Sequence, residues 1–307
     1  MEYYITENWA DRTVKDYLYT EVGVSRSVLI RLKKREDGIL LNGSHVTVRA
    51  ILKAGDCLRI AIDDTNDERI GKIPPVDLPL SIAYEDEELL VLNKPYGMPT
   101  HPTHGHYEDT LANAVVYYMH KQGVMDFVFR AVNRLDRDTS GLVIVCKNQL
   151  SCAKLSASLR QGKIVKKYLA LLCGIVKEEC GSIDRPIRRA AESIIIRECC
   201  EKGQGDEALT LYRVLARYKE HTLVCASPIT GRTHQLRVHF ASMGHPILGD
   251  DLYGSPSHRI SRQALHAVYL SFPHPTTKEQ MSILCPVPTD VQNCMEDYII
   301  SETDIVD

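Results

Sequence analysis

The order of the apolar segments after residue 80 is the feature that most constrains the fold of this chain. Short apolar runs, which are typical of strands, mix with three longer segments that are typical of helices. Several strands follow one another directly, whereas a doubly wound fold requires strands and helices to alternate. The sequence therefore predicts an α+β domain with a mixed, largely antiparallel sheet. The predicted strands are ELLVLNK, GLVIVCK, YLALLCGIV, TLYRVLARY, HTLVCASPI and MSILCP, and the predicted helices are TLANAVVYYMHKQ, QLSCAKLSASLRQ and RTHQLRVHFASMG.

The first 62 residues predict a second, smaller α/β unit. Val14, Tyr17 and Leu18 recur at helical spacing, and Ser25 is a suitable N-cap for a second helix. A hairpin follows, with Asn42-Gly43 as its two-residue turn, and GDCLRIAI is a further strand. A polar segment that contains two adjacent prolines then ends this part of the chain. We therefore predict two domains, residues 1–75 with the linker and residues 76–307.

The charges of the chain are segregated, although its formal net charge is only −3. Residues 11–62 carry ten Lys and Arg against six Asp and Glu, whereas residues 63–90 carry nine acidic residues against two basic ones. A negative net charge by itself argues against a nucleic-acid partner. Because binding depends on local charge, the basic N-terminal unit is still compatible with nucleic-acid binding.

Other features narrow the class of protein. The apolar runs are far too short to span a bilayer, and the N-terminus lacks a basic segment followed by an apolar one. Ten cysteines occur without a CxxC pair, as in a reduced intracellular protein. His101, His104 and His106 suggest a metal, but no fourth ligand follows at finger-like spacing. His234 and His239 lie five apart and do not share a helix face, so we expect no metal.

The segment NRLDRDTSGLVIVCKN at 133–148 places Asp136 and Asp138 directly before a Thr-Ser-Gly turn and an apolar strand. One interpretation is structural, in which Asp138 or Thr139 caps a turn and Arg134 forms a surface ion pair. A second is a phosphohydrolase with a D-x-D nucleophile motif. In haloacid-dehalogenase-type phosphatases that motif follows an apolar strand, whereas here the strand comes afterwards. A third interpretation takes in the rest of the chain.

Five ordered motifs, spread over most of the chain, resemble those of the RluA/RluD-type pseudouridine synthases. The family signature H-R-L-D-x-x-T-S-G-L is matched from Arg134 to Leu142, and the chain departs from it at Asn133, where the family more often has His. The other four motifs are LNKPYGMPTHP at 92–102, KKYLALLCG at 166–174, PITGRTHQLRVHFASMGHPILGDDLYG at 228–254 and LHAVYLSFPHP at 265–275. Because the order of all five agrees, a chance match is very improbable.

The resemblance implies isomerisation of specific uridines in structured RNA, ribosomal or transfer RNA, to pseudouridine, without a cofactor. It implies that Asp136 is the catalytic carboxylate near C1′ or C2′ of the nucleotide. It makes Arg237 the partner that keeps this carboxylate ionised, through a charge-assisted pair at about 2.7–2.9 Å. Tyr168 would stack on the uracil, and its hydroxyl would be available for the proton step at C5.

The resemblance also implies where RNA is contacted. Arg134 would enter the place that the flipped nucleotide leaves, and Arg232 would contact a backbone phosphate. The basic N-terminal segment is similar to an S4-type RNA-binding module, whose implied contacts are Arg26, Arg31, Lys33 and Lys34. We expect a cytoplasmic monomer that has RNA as its partner. The alternative is an RNA-binding protein on the same scaffold that no longer catalyses, against which the intact Asp136, Tyr168 and Arg237 argue.

Overall fold

The N-terminal unit is built around a small antiparallel sheet. The structure is a computed structural model that describes residues 2–24, 26–61, 69–296 and 298–306. Its first elements are β1 (Glu2–Tyr4), a 3-10 turn (Glu7–Trp9), α1 (Val14–Tyr17), a π-helical turn (Leu18–Val22), α2 (Arg26–Leu32), β2 (Ile39–Leu41), β3 (Ser44–His45) and β4 (Cys57–Ile60). The strands pair in the order β1-β4-β2-β3. The predicted Asn42-Gly43 turn is confirmed, since both residues have positive φ between β2 and β3.

Apolar side chains from both short helices and the sheet form the core of this unit. Val14, Leu18, Val28 and Leu58 are all buried there, and Leu150 of the larger domain completes the same cluster. The predicted N-cap Ser25 and the acidic residues between positions 62 and 68 lie outside the described residues. The N-terminal unit therefore has its own core and also packs against the rest of the chain.

A nine-stranded sheet organises the larger domain. Its strands run in the order β5-β6-β7-β14-β8-β13-β12-β9, with β15 paired to β14, and the pairing of β7 with β14 is parallel. The elements are β5 (Ile82–Glu85), β6 (Leu89–Lys94), α3 (Leu111–Lys121), β7 (Ser140–Cys146), α4 (Gln149–Arg160), β8 (Val165–Cys173), β9 (Cys180–Asp184), β10 (Ile187–Arg189), β11 (Arg197–Cys199), β12 (Leu209–Arg217), β13 (His221–Pro228), α5 (Gln235–Ser242), β14 (Leu265–Pro273), β15 (Gln280–Leu284), α6 (Thr289–Gln292) and α7 (Thr303–Val306). The predicted α+β class with a mixed, largely antiparallel sheet is confirmed.

Residues just before the predicted boundary at residue 76 contact the larger domain. Ile73 packs against the main apolar core, and the Pro74 carbonyl accepts a hydrogen bond of 2.8 Å from the Asn113 side chain on α3. Asn113 also belongs to the capping box with Thr110 that begins this helix. The adjacent prolines are therefore held on the surface of the larger domain.

The six predicted strands and three predicted helices all occur, and the structure adds a strand at the centre of the sheet that was not predicted. β14 lies between β7 and β8, and nearly all of its residues are buried. Its sequence contains His266 and Ser271, so it does not read as an uninterrupted apolar run. The His266 ring is accommodated in the core because Ser140 Oγ and Cys285 Sγ lie 2.9 and 3.2 Å from its two nitrogens.

Gly141 allows β7 and β14 to approach each other. It has φ of 116°, and a Cβ atom at this position would lie 2.2 Å from the Ala267 carbonyl oxygen. Because that oxygen belongs to the backbone of a central strand, it has little freedom to move. We expect Gly141→Ala to lower the free energy of unfolding by at least about 3 kcal/mol in urea denaturation. Gly123→Ala is the control, since Gly123 also has positive φ but open space around it, and a loss of only about 1 kcal/mol is expected. Equal losses in the two variants would contradict this assignment.

Candidate active site

A cavity of about 340 Å³ lies where the loop before β7, strand β8 and the first turn of α5 meet. Such a volume is sufficient for a small planar ligand. Five residues that the sequence analysis selected line it together, although they come from distant parts of the chain. These are Arg134, Asp136, Tyr168, Arg232 and Arg237. The four basic residues predicted to contact RNA from the N-terminal unit do not line the cavity.

The loop that carries Asp136 is fixed by hydrogen bonds on both sides of the carboxylate. Asp136 O accepts from Thr139 N at 3.1 Å, which closes a turn just before β7. Leu135 N donates to Thr100 Oγ1 at 3.2 Å. The side chain of Asn133 donates to Leu142 O at 3.0 Å and accepts from Ile144 N at 2.9 Å. At the position where the sequence departs from the family signature, the asparagine amide thus ties the loop to β7.

Arg237 does not make the close pair with Asp136 that the sequence analysis predicted. Its Nη1 lies 3.8 Å from Asp136 Oδ2, outside hydrogen-bonding distance. Its close partner is Asp250, which accepts from Nε and from Nη2 at 2.7 Å each. Asp250 is completely buried, whereas the Asp136 side chain is 20% exposed. The guanidinium therefore satisfies the carboxylate that water cannot reach, and it presents its remaining edge to Asp136.

The charge of Arg237 is maintained by this arrangement. The side chain is only 6% exposed, so it does not lie on a solvated helix face. Burial works against its charged form, but the hydrogen bonds and charge of Asp250 outweigh burial and raise the pKa of Arg237 above its ordinary value. A permanent positive charge therefore lies beside the Asp136 carboxylate at the inner wall of the cavity.

Tyr168 forms another wall of the cavity. It lies in β8, directly opposite Ala226 of β13 and Ala267 of β14, and it is 8% exposed. Burial, and then the nearby negative charge of Asp136, raises the pKa of Tyr168 above its ordinary value of 10. The phenol is therefore neutral at physiological pH.

Arg134 and Arg232 lie at the opening of the cavity. Arg134 is exposed and follows the fixed Asn133. Arg232 is 40% exposed, and its Nε donates to Glu207 O at 2.9 Å. Arg137, the other arginine that flanks Asp136, points elsewhere and binds Asp138 at 2.9 Å. The two arginines at the opening are accessible to a large ligand, as the RNA hypothesis requires.

Sequence reasoning missed two cavity residues, Lys166 and His234. Lys166 is 8% exposed, and its ammonium donates one hydrogen bond, to Thr230 O at 3.3 Å. Burial lowers its pKa. Alternate residues of a strand point to the same side, so its position two residues before Tyr168 was a usable signal. His234 lies 4.0 Å from Asp136, and no sequence pattern indicates its positive φ of 57° before α5.

The His234 ring is held as a neutral group. Its Nδ1 lies 2.8 Å from the hydroxyl of Tyr253, which orients the imidazole. Burial lowers the pKa of His234, and the nearby charge of Asp136 only partly opposes this effect. A neutral imidazole edge therefore faces Asp136 at neutral pH.

The histidines that suggested a metal have other neighbours. His106 pairs with Asp109 at 2.6 Å, and the His101 ring packs edge-on against Phe129. Both ring nitrogens of His239 have partners, Thr210 Oγ1 and Arg185 O. Within the described ranges, no group of three or more His, Cys, Asp and Glu side chains is arranged to hold a metal ion. The helices of the same ranges include none with the length and apolar character needed to cross a bilayer.

The basic residues of the N-terminal unit form a separate surface. α2 ends at Leu32, so Lys33 and Lys34 lie in the turn that follows the helix, where both are exposed. Arg26 is exposed at the start of the helix, and Arg31 is partly exposed near its end. Their role in RNA binding stays a prediction.

Comparisons with known proteins agree with the motifs. Residues 88–242 match the model of the RNA pseudouridylate synthase family. The uncharacterised RNA pseudouridine synthase YjbO of Bacillus subtilis is 38% identical over 284 residues, which cover 92% of this chain and 98% of that protein. Ribosomal large subunit pseudouridine synthase D of Pasteurella multocida is 36% identical over 286 residues, 86% of each chain.

A solved structure of a related protein agrees with these sequence matches. Human RNA pseudouridylate synthase domain containing 1 superimposes with a TM-score of 0.57 at 30% identity, over 69% of this chain and 85% of that one. The match of a family model to half of the chain, together with relatives that share more than a third of their residues over nearly its whole length, identifies the family. The chain belongs to the RNA pseudouridine synthase family.

Proposed function

We propose that this protein isomerises specific uridines of structured RNA to pseudouridine, and that Asp136 is the catalytic carboxylate. The observation that supports the proposal best is one cavity in which Asp136 lies 3.8 Å from the buried Arg237 guanidinium and Tyr168 forms an adjacent wall. The name of the Pasteurella relative makes ribosomal RNA the first substrate to test. We propose further that the protein acts as a monomer in the cytoplasm, where this RNA is found.

The reaction rearranges the atoms of one nucleotide, and the product contains no added or lost chemical group. The C1′–N1 bond breaks, the uracil turns within the pocket, and C5 bonds to C1′. C5 then loses its proton, and N1 gains one. A carboxylate next to the sugar serves this sequence either as a nucleophile at C1′ or as a base at C2′. In both routes the positive charge of Arg237 orients Asp136 and stabilises its negative form.

Tyr168 is proposed to hold the uracil by stacking. Because burial raises the pKa of Tyr168, the phenol stays protonated and does not readily accept the proton from C5. We therefore expect Tyr168→Phe, which keeps the ring, to retain pseudouridine formation within about tenfold of wild type, and Tyr168→Ala to lose at least about a hundredfold. Single-turnover rates on the same RNA make the comparison. A loss in Tyr168→Phe as large as that in Tyr168→Ala would instead assign the proton step at C5 to the hydroxyl.

Arg134 and Arg232 are proposed to act on the RNA around the target. A nucleotide that leaves its stack costs a few kcal/mol, and the planar guanidinium of Arg134 is suited to fill the vacated place. Arg232 also lines the cavity and is 40% exposed, so part of its side chain is available to a phosphate. The accessibility of these two side chains supports both proposed roles.

The N-terminal unit is proposed to bind RNA through its basic surface. In a variant with Arg26, Lys33 and Lys34 changed to glutamine, we expect weaker RNA binding and a smaller salt dependence. The slope of log Kd against log salt should fall by about 0.7–0.9 for each phosphate contact that is lost. Fluorescence anisotropy at several salt concentrations measures the slope. A slope equal to that of wild type would give this surface another role.

A direct assay tests the function itself. RNA that carries tritium at C5 of its uridines releases the label only when C5 bonds to another atom and gives up its hydrogen. We expect the purified protein to release tritium from ribosomal RNA in proportion to the pseudouridine formed. The substrates are ribosomal RNA and transfer RNA that contain no pseudouridine at the start. If the protein released no tritium from either RNA, the alternative of a protein that binds RNA without catalysis would be favoured.

A further inference from the structure

A buried arginine reaches the turn that carries Asp136 from a distant part of the chain. Arg262 lies shortly before β14, outside the five motifs, and its side chain is only 2% exposed. Its Nη1 donates to Asp138 O at 3.1 Å. A charged group buried this deeply is held in place by specific partners. One of these partners is thus the backbone of the turn that carries the proposed catalytic carboxylate.

The charge of Arg262 is neutralised by Asp290 on α6, in the C-terminal part of the chain. Asp290 accepts from Nε at 2.7 Å and from Nη2 at 3.0 Å, which makes a bidentate pair. Burial acts to raise the pKa of Asp290, but the hydrogen bonds and charge of Arg262 outweigh it and lower this pKa. The ring of Tyr96 covers the guanidinium, with its centroid 4.7 Å from Cζ. Arg262 therefore has a fixed orientation, in which Nη1 is directed toward backbone carbonyls.

The segment that carries Arg262 holds the turn at two successive residues. Besides the bond from Arg262 to Asp138 O, the Gln263 amide donates to Thr139 Oγ1 at 3.2 Å. Thr139 N in turn closes the loop by donating to Asp136 O at 3.1 Å. A displacement of either residue would therefore carry the Asp136 carboxylate with it.

The same segment also contacts the part of the chain that holds Arg237. Gly249 lies so close to it that a Cβ atom on this glycine would be 2.3 Å from the Arg262 carbonyl oxygen. The next residue is Asp250, which accepts both close hydrogen bonds of Arg237. The backbone around Arg262 therefore lies between the turn with Asp136 and the anchor of Arg237.

We propose that Arg262, held by Asp290, is a positioning residue that sets the distance between Asp136 and Arg237. It does not line the cavity, so it acts through the backbone of the turn and not on the substrate. The inference rests on the proposed function, in which these two groups act together. They are 3.8 Å apart, and a misplacement of about 1 Å can cost a hundredfold in rate. The C-terminal segment with α6 would thus support catalysis without reaching the cavity.

Three variants test this role by single-turnover rates at saturating RNA. R262Q removes the charge and the bond to Asp138 O, and we expect a rate about 30- to 100-fold below wild type. D290N leaves Arg262 without its charged partner, and a loss of about tenfold is expected. R262K keeps the charge but lacks the planar fork, so its rate should lie between those of R262Q and wild type. RNA affinity should stay within about twofold in all three, because Arg262 does not line the cavity.

A second measurement reports the turn without any turnover. Amide hydrogen exchange, followed by mass spectrometry, shows how often the bond from Thr139 N to Asp136 O opens. We expect exchange at Thr139 to be about tenfold faster in R262Q and D290N than in wild type. The turn should loosen without unfolding, because Lys94 still donates to Arg137 O at 3.0 Å.

R217Q is the matched control. Arg217 pairs with Glu179 at 2.7 Å and donates to Val176 O and Lys177 O at 2.7 and 3.0 Å, so it also joins a carboxylate to a loop backbone. It does not line the cavity either. We expect R217Q to keep the wild-type rate and the wild-type exchange at Thr139. All rates are compared at a temperature at which thermal unfolding shows each variant to be folded.

The outcomes are distinct. Wild-type rate and exchange in folded R262Q and D290N would overturn the proposal, and so would a loss that appears in RNA affinity instead of rate. An equal loss of rate in R217Q would assign the effect to general destabilisation. If R262Q does not fold, D290N decides alone. A failure of the proposed function would appear separately, as wild-type protein that releases no tritium from C5-labelled RNA, and the exchange at Thr139 would still test the positioning.

Discussion

Asp136→Asn is expected to lower the rate of pseudouridine formation at least about a thousandfold, with RNA affinity within a few fold of wild type. Asparagine has the shape of aspartate, so the fixed loop and the cavity should persist. It lacks the negative charge that both proposed routes require. The loss should therefore appear in the single-turnover rate at saturating RNA and not in the dissociation constant.

Asp138→Asn is the matched control for this prediction. Asp138 lies two residues away in the same turn, and its carboxylate binds the exposed Arg137 and does not line the cavity. We expect it to retain the wild-type rate within a few fold. If Asp136→Asn kept a tenth of the wild-type rate, or if Asp138→Asn lost as much, the catalytic role of Asp136 would be wrong.

Asp250→Asn is expected to have the largest effect on stability, a loss of about 3–5 kcal/mol in the free energy of unfolding. Asp250 is completely buried and accepts both close hydrogen bonds of Arg237. Its Oδ1 also accepts from Leu252 N and Tyr253 N. Asparagine would leave the buried guanidinium without the carboxylate that accepts both of its close hydrogen bonds. The catalytic rate should fall as well, because Asp250 would no longer hold the Arg237 guanidinium in its position beside Asp136.

Asp251→Asn provides the comparison in urea denaturation. Asp251 is adjacent in sequence and lies 3.6 Å from the same guanidinium, but its side chain is 73% exposed. Exposed ion pairs contribute little, so we expect a change of less than about 1 kcal/mol. Similar losses in the two variants would show that burial of the Asp250 pair has no special importance.

The different environments of Asp250 and Asp251 could not be predicted from the sequence. The segment GDDLYG ends the motif at 228–254, and its two adjacent aspartates cannot be told apart from the sequence. Only the folded chain shows that one is completely buried against Arg237 and the other exposed. For this reason the close pair was predicted for Asp136, which the motif named, and the structure assigns it to Asp250.

The parts of the site that lie within motifs were predictable. Arg134, Asp136, Tyr168, Arg232 and Arg237 come from three motifs, at 133–148, 166–174 and 228–254, and all five line one cavity. The resemblance of these motifs to those of the family predicted that the five residues belong to one site. Hydrophobic periodicity alone predicts only helices and strands. The β10–β11 hairpin lies between two motifs, and its short strands have no clear alternating pattern. These two strands were therefore recognised only from the fold.

The central strand was missed for a related reason. β14 is paired on both edges and buried along its length, and such an interior position does not follow from local sequence. His266 would be costly in such a place without partners, but Ser140 and Cys285 provide them from β7 and from the turn after β15. Long-range contacts of this kind are invisible to an analysis of single segments.

The most direct test of the central claim is a map of pseudouridine in total RNA from cells that lack this protein. The cells are complemented with the wild-type chain or with Asp136→Asn, and both chains are confirmed to be present at equal levels. We expect one or more uridines, first of all in ribosomal RNA, to be converted only when the wild-type chain is present. Conversion of the same positions by Asp136→Asn, or no difference between cells with and without the wild-type chain, would contradict the proposal that this carboxylate isomerises uridine.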